Sequence, residues 1–425
     1  MDFGKRFLSS SLYLISGKVF TFLFAIMYSV VLTRLFSAND VGVIFFWVSI
    51  VTLGAYSSLF GMNLLAVREY PQLTSNKCVY KFFCFGLTVV AVAALVLLAL
   101  LSLYIYHFGL INEYMAVLTS NTPSIFVYFV CFTLSVYVLE FYRASGEIKY
   151  YSIIGAGQWG VITLATYIGV VIFDASIGYA FYALACASFV FLLISMVVLL
   201  LRVVNDRWAD CDRFSEALSN KVVMDLSVYW VVSSLVIIVP HVILIFMGAK
   251  LSPEVVAKYA VAMRLVVGVS FIVLVVNHIL GPIIARRKYE NNGLQRSDFI
   301  RLFKLSSIVG LIGLVLWGVL VLIADRVILI LFGVEYLEAS ESLLVVAFFQ
   351  VVSVFVYFSY LILQIERKLI QLLLSVVVPF FLAVVLMDKY LSELIEFAYL
   401  HGALVFVFSL LSFMFVLFNL MLKKK

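Results

Sequence analysis

The chain has 425 residues, of which 65% are hydrophobic and only 12% charged, with a mean hydropathy of +1.17. Soluble domains use roughly half apolar residues, so no water-soluble fold hides this much apolar surface. The formal net charge of +6 would suit nucleic acid only if the basic residues formed a face, but they sit in short turns between apolar runs; the charge reads as membrane topology, with no nucleic-acid partner.

A membrane-spanning helix needs about 20 mostly apolar residues, and about twelve stretches meet that need. In chain order they are 8–33, 41–66, 82–106, 124–142, 151–173, 177–201, 224–247, 255–283, 303–324, 341–363, 369–387 and 393–420. The first follows Lys5 and Arg6 but runs on to Thr33 without a small-residue cleavage site, so it is expected to stay as a membrane helix and not act as a signal peptide. The widest polar gap, 203–222, reads as a cytoplasmic linker between an N-terminal six-helix lobe, 1–202, and a C-terminal six-helix lobe, 223–425. Two halves that enter from the same side imply a parallel repeat about an axis along the membrane normal. The first outer turn, Ser37-Ala38-Asn39-Asp40-Val41-Gly42, is echoed by Ser252-Pro253-Glu254-Val255-Val256-Ala257. The expected fold class is therefore an all-α polytopic membrane protein, with about twelve transmembrane helices in two lobes related by a pseudo-two-fold.

Most of the 29 lysines and arginines fall on one set of turns: Lys5, Arg6, Arg68, Lys77, Lys81, Arg143, Lys149, Arg202 to Lys221, Arg286 to Lys304, Arg367, Lys368 and the terminal Lys423 to Lys425. Arg34, Lys250, Lys258, Arg326 and Lys389 fall on the other. Basic residues accumulate on cytoplasmic loops, so both termini and the 203–222 linker are expected in the cytoplasm and the 107–123 loop outside.

The chain carries no Walker loop, dinucleotide-binding glycine pattern or HExxH motif, and no loop outside the membrane much longer than the linker, so no catalytic or energy-coupling domain is expected. The five cysteines, Cys78, Cys84, Cys131, Cys186 and Cys211, show no CxxC spacing, and neither a metal nor a cofactor is expected. What remains is ionisable side chains inside spans, each costing roughly 2.5–3.5 kcal/mol to insert and so calling for a reason. Lys18 lies about ten residues into the first span, roughly 15 Å from its end, with Ser11, Thr21, Ala25 and Ser29 on the same helical face. That face should meet water or another helix. Arg264 lies well inside the eighth span, with Ala257, Ala260, Gly268 and His278 in a narrow arc around it. Lys18, Arg264 and His278 are thus candidates to line a cavity that attracts a phosphate or acidic sugar, the alternative being internal pairing that holds helices together. Glu140, one turn before Arg143, and Asp225, beside Lys221, read first as interfacial ion pairs. His241 follows Pro240, whose ring frees a helix carbonyl. A coupling-ion role for Asp225, Glu140 or His241 is the secondary reading.

Four segments resemble the bacterial O-antigen and polysaccharide flippases of the multidrug/oligosaccharidyl-lipid/polysaccharide exporter superfamily. VLTRLFSANDVGV (31–43) looks like the family's first outer turn, and FGMNLLAVREY (60–70), with Gly61 and the Arg68-Glu69 pair, looks like the end of its second helix. YAVAMRLVVGVSFIVLVVNHILGPIIARR (259–287) is similar to its eighth helix, and VILILFGVEYLEASESLLVV (327–346) to its approach to the tenth. The resemblance implies a V-shaped pair of six-helix lobes around a central cavity, in the bacterial inner membrane. The implied substrate is an undecaprenyl-diphosphate-linked oligosaccharide, moved from the cytoplasmic to the periplasmic leaflet, with the polysaccharide polymerase and chain-length machinery as partners. Related flippases place cations on the first and eighth helices, where Lys18 and Arg264 fall. Two alternatives stand beside this reading: a cation-coupled multidrug exporter of the same fold, and a non-transporting assembly partner of polysaccharide synthesis.

Overall fold

A computed structural model describes residues 2–69, 76–108, 112–173, 176–203, 230–231, 239–269, 296–366 and 368–422. Among them there are helices and turns and no strand, as expected where backbone groups must be satisfied without water. In chain order the helices are α1 (Asp2–Leu35), α2 (Ala38–Ser58), α3 (Met62–Glu69), α4 (Asn76–Phe108), α5 (Asn112–Ala144), α6 (Ile148–Phe173) and α7 (Ile177–Val203). They continue with α8 (Val239–Lys250), α9 (253–269), α10 (Arg296–Leu331), α11 (Ala339–Ile365), α12 (Leu369–Tyr390) and α13 (Leu394–Leu422). Ten of these helices are long and apolar enough to cross a membrane.

The chain divides into two compact units, Met1–Ala249 and Lys250–Lys425. In the first, α5 and α2 form the interior, with 72% and 67% of an apolar 18-residue stretch of each buried, against 11% for α1. Leu95, Leu100, Val171, Ile172 and Leu201 point outward from α4, α6 and α7, the arrangement that lipid as solvent allows and water does not. Cross-helix hydrogen bonds tie this interior: Tyr137 Oη donates to the Phe83 carbonyl at 3.1 Å, Tyr142 Oη to the Ser195 carbonyl at 2.9 Å, and Trp230 Nε1 to the Ser57 carbonyl in the last turn of α2 at 2.9 Å. In the second unit α11 is the half-buried centre, packed on α10, α13 and α12. Lys258 Nζ bridges Glu254 and Glu338, each at 2.9 Å, joining the starts of α9 and α11. Lys250 Nζ donates to the Met387 carbonyl in the last turn of α12 at 2.6 Å, a cation at a helix C-terminus.

Three boundaries differ from the sequence expectation. The second span does not run to 66: Phe60 (φ 44°) and Gly61 (φ 76°) take left-handed conformations that end α2 at Ser58 and start a separate short α3. Residues 112–123, expected as loop, are the first turns of α5, because Asn121 leaves helical geometry (φ −122°, ψ 16°) and so absorbs the kink that Pro123 demands. At 36 residues, α10 is far longer than 303–324; its roughly 54 Å exceeds the hydrocarbon thickness, so its ends extend beyond the apolar layer. The two echoing turns act alike. Ser37 accepts from the Asp40 and Val41 amides, and the Ser252 carbonyl from the Val255 and Val256 amides, so each serine starts a helix. The 204–222 stretch of the expected linker lies outside the described residues.

Candidate functional site

The site begins with a close helix crossing in the first unit. Gly17 of α1 faces the backbone of Ser152 on α6 so closely that a Cβ there would lie 2.5 Å from Ser152 Cβ, and about two turns further on Phe24 packs against Gly160. Thr163 Oγ1 donates to the Phe24 carbonyl at 3.2 Å across the same crossing. Lys18, next to Gly17, is thereby carried over the Tyr151 ring, with Nζ 5.4 Å from its centroid, a cation–π contact.

A cavity of about 120 Å³ lies beside this crossing. Each bordering helix offers one face to it: Leu14, Gly17, Lys18 and Thr21 from α1; Phe132, Val136, Leu139 and Glu140 from α5; Tyr151, Ser152, Gly155, Gln158 and Trp159 from α6; and Tyr56 from α2. The spacing of three and four residues within each set is that of a single helical stripe. Arg143 Nη2 sits 2.5 Å from Glu140 Oε2, one turn along α5. Gln158 and Ser152 are only 4% and 6% exposed, and neither Gln158 Nε2 nor Ser152 Oγ finds a hydrogen-bond partner in the protein.

Lys18 and Glu140, assigned from sequence to different tasks, therefore border the same cavity. The Lys18 face meets α6, as a polar stripe in a span should. Tyr151 is the fourth residue of α6, so Lys18 stands level with a point roughly 6 Å into that helix. Glu140 and Arg143 form the i,i+3 pair their spacing suggested. His241 belongs to the first unit, where Nδ1 lies 3.2 Å from Ser49 Oγ on α2. Arg264 lies in the second unit, half-buried on α9 just past the stretch Val256–Ala262 that is buried all round; Ala257 and Ala260 are buried on its face. His278 and Asp225 lie outside the described residues.

Sequence reasoning missed Tyr56, Tyr151, Ser152, Gln158 and Trp159. The available signal was Ile154-Gly-Ala-Gly-Gln-Trp-Gly160, a run of small residues with one amide, which marks a close helix contact that holds a polar group. It also missed a buried pair in the second unit, Tyr259 Oη and His401 Nδ1 at 2.8 Å, joining α9 to α13. Tyr259→Phe should leave that ring nitrogen unsatisfied and destabilise the protein by about 1–2 kcal/mol. Thermal melting in detergent, compared with His401→Phe and the double variant, checks this: a shared partner makes the two losses less than additive.

The sequence matches no family model and no curated protein. Solved structures do match along nearly the whole chain. An inward-facing multidrug resistance MATE family transporter of the MOP superfamily superposes with a TM-score of 0.71 at 12% identity, covering 97% of this chain and 98% of that one. The lipid II flippase MurJ in an inward closed conformation gives 0.67 at 10% identity, covering 96% and 87%. A point mutant of the Vibrio cholerae MATE transporter VcmN gives 0.64 at 14% identity, covering 98% and 97%. The fold of this multi-pass chain is thus the one shared by MOP superfamily transporters.

Proposed function

We infer, from a fold shared along its length with drug and lipid transporters, that this protein translocates an undecaprenyl-diphosphate-linked oligosaccharide between membrane leaflets by alternating access. The observation that carries the reading is the sign of the charges held within its helices. Lys18 and Arg264 are basic and half-buried, and Glu140, the carboxylate that faces the first unit's cavity, pairs with Arg143. An anionic diphosphate suits such a chain better than a cationic drug. In this reading Lys18, Arg264 and His278 contact the cargo's charged headgroup, the chain sits in a bacterial inner membrane as lobes 1–202 and 223–425, and a polymerase receives the product.

Deleting the gene is expected to abolish the surface polysaccharide and to leave lipid-linked repeat units facing the cytoplasm, with drug susceptibility unchanged. Extraction and protease-coupled labelling of the repeat units measure the first outcome and growth inhibition the second. Intact polysaccharide together with drug hypersensitivity would establish the multidrug exporter instead, the reading favoured by the likeness to MATE transporters and by the acidic Glu140 in a cavity. Reporter fusions should place both termini and the 203–222 segment in the cytoplasm and 107–123 outside; a carboxyl terminus on the outer side would refute the even helix count.

A further inference from the structure

Helix α10 is packed along one stripe and bare along the opposite one. Phe299 and Phe303 meet Phe358 of α11 and Phe413 of α13, with ring centroids between 5.3 and 6.3 Å apart. Ser306 Oγ donates to the Val354 carbonyl, and the Phe355 ring covers Gly310 so closely that an added Cβ would meet it at 2.5 Å. These positions, spaced at four, three and four residues, hold the start of α10 against its neighbours. The opposite stripe, Ser297, Arg301, Lys304, Ile308, Ile312 and Val315, is exposed throughout.

Charge then sets where this stripe meets the membrane surface. The stretch 305–324 has no ionisable side chain and rises about 30 Å at 1.5 Å per residue, the thickness of a bilayer's hydrocarbon core. At one end of it Asp325 and Arg326 are both exposed and of opposite charge. At the other, Arg301 and Lys304 are exposed, whereas Asp298, the acidic residue of the first turn of α10, is only 3% exposed. Among the described residues no carboxylate pairs with Arg301 or Lys304. Residues three apart on a helix are neighbours, with Cβ atoms about 5–6 Å apart, so both head groups reach one phosphate at the level of the lipid headgroups. Leu305 and Ile308 lie exposed on the hydrocarbon side of the pair.

We propose that Arg301 and Lys304 form a docking site for the headgroup of an anionic phospholipid, with one of its acyl chains along Leu305 and Ile308. Two basic side chains without a compensating carboxylate select a lipid of net negative charge over a zwitterionic one, and the guanidinium adds a planar two-point grip on the phosphate. The site lies on the outward stripe of α10 and does not depend on the identity of the cargo.

Native mass spectrometry of the delipidated full-length protein, titrated in a neutral detergent with dioctanoyl phosphatidylglycerol or dioctanoyl phosphatidylcholine, tests this. A basic residue near an anionic surface contributes about fivefold in affinity, so the first phosphatidylglycerol should bind roughly twentyfold more tightly than phosphatidylcholine. Arg301→Gln with Lys304→Gln should weaken that first binding by about tenfold or more, while Arg301→Lys with Lys304→Arg should retain most of it. Arg326→Gln, at the other end of the same uncharged stretch, should leave it unchanged. Where the double glutamine variant does not fold, Lys304→Gln alone is read in its place, with a several-fold loss expected. Equal affinity for the two lipids, glutamine variants that keep the preference, or an equal loss in Arg326→Gln overturns the proposal. Because binding is read without transport, a failed flippase phenotype rejects the function and leaves this site standing.

Discussion

Arg264→Ala is expected to abolish polysaccharide export while the protein still reaches the membrane at its normal level. The residue stands half-buried on α9, just past the seven consecutive buried residues Val256–Ala262. If the guanidinium grips a phosphate, Arg264→Lys should restore only part of the activity, because an ammonium keeps the charge and loses the planar two-point match. Lys18→Ala should weaken export less, and Lys18→Arg should recover much of it, since Lys18 acts as a point charge above Tyr151. Membrane abundance measured beside complementation decides between roles: stripping one partner from a buried ion pair costs about 3–5 kcal/mol and would remove the protein. A well-expressed and fully active Arg264→Ala protein would end the cargo-binding assignment.

The second large effect concerns packing. Gly17→Ala should lower stability by about 1–3 kcal/mol, and Gly17→Leu should prevent accumulation in the membrane. A Cβ at Gly17 would lie 2.5 Å from Ser152 Cβ, 2.9 Å from its Cα and 3.0 Å from its carbonyl oxygen; two of these are backbone atoms, so α1 and α6 must move apart as rigid helices. That displacement would also lift Lys18 away from Tyr151. Gly169→Ala, on the same α6 but with nothing within 4 Å of the added carbon, should be neutral or gain slightly from helix propensity. Melting temperatures of the two alanine variants test the contrast, and equal losses would show that helix flexibility, not contact, governs both.

The amino-acid sequence by itself determined the class of this protein and the course of most helices. Runs of about 20 apolar residues leave a membrane helix as the only way to satisfy the backbone, and nine of the expected spans recur in α1, α4 to α7 and α10 to α13. The Glu140–Arg143 pair was legible for the same reason, since residues three apart on a helix are neighbours whatever surrounds them. Periodicity also showed that Lys18 and Thr21 share a face. What that face meets was decided only by the tertiary structure, because a helical wheel gives direction and says nothing about distance or depth. Gly17 reads in sequence as one small residue among many; only the approach of α6 makes it the point that brings Lys18, Gln158, Ser152 and Glu140 around one cavity. The break at Phe60 and Gly61 and the buried Tyr259–His401 pair were hidden likewise. A left-handed residue inside an apolar run and a hydrogen bond across 142 residues leave no period in the sequence, and both follow from which helices pack together.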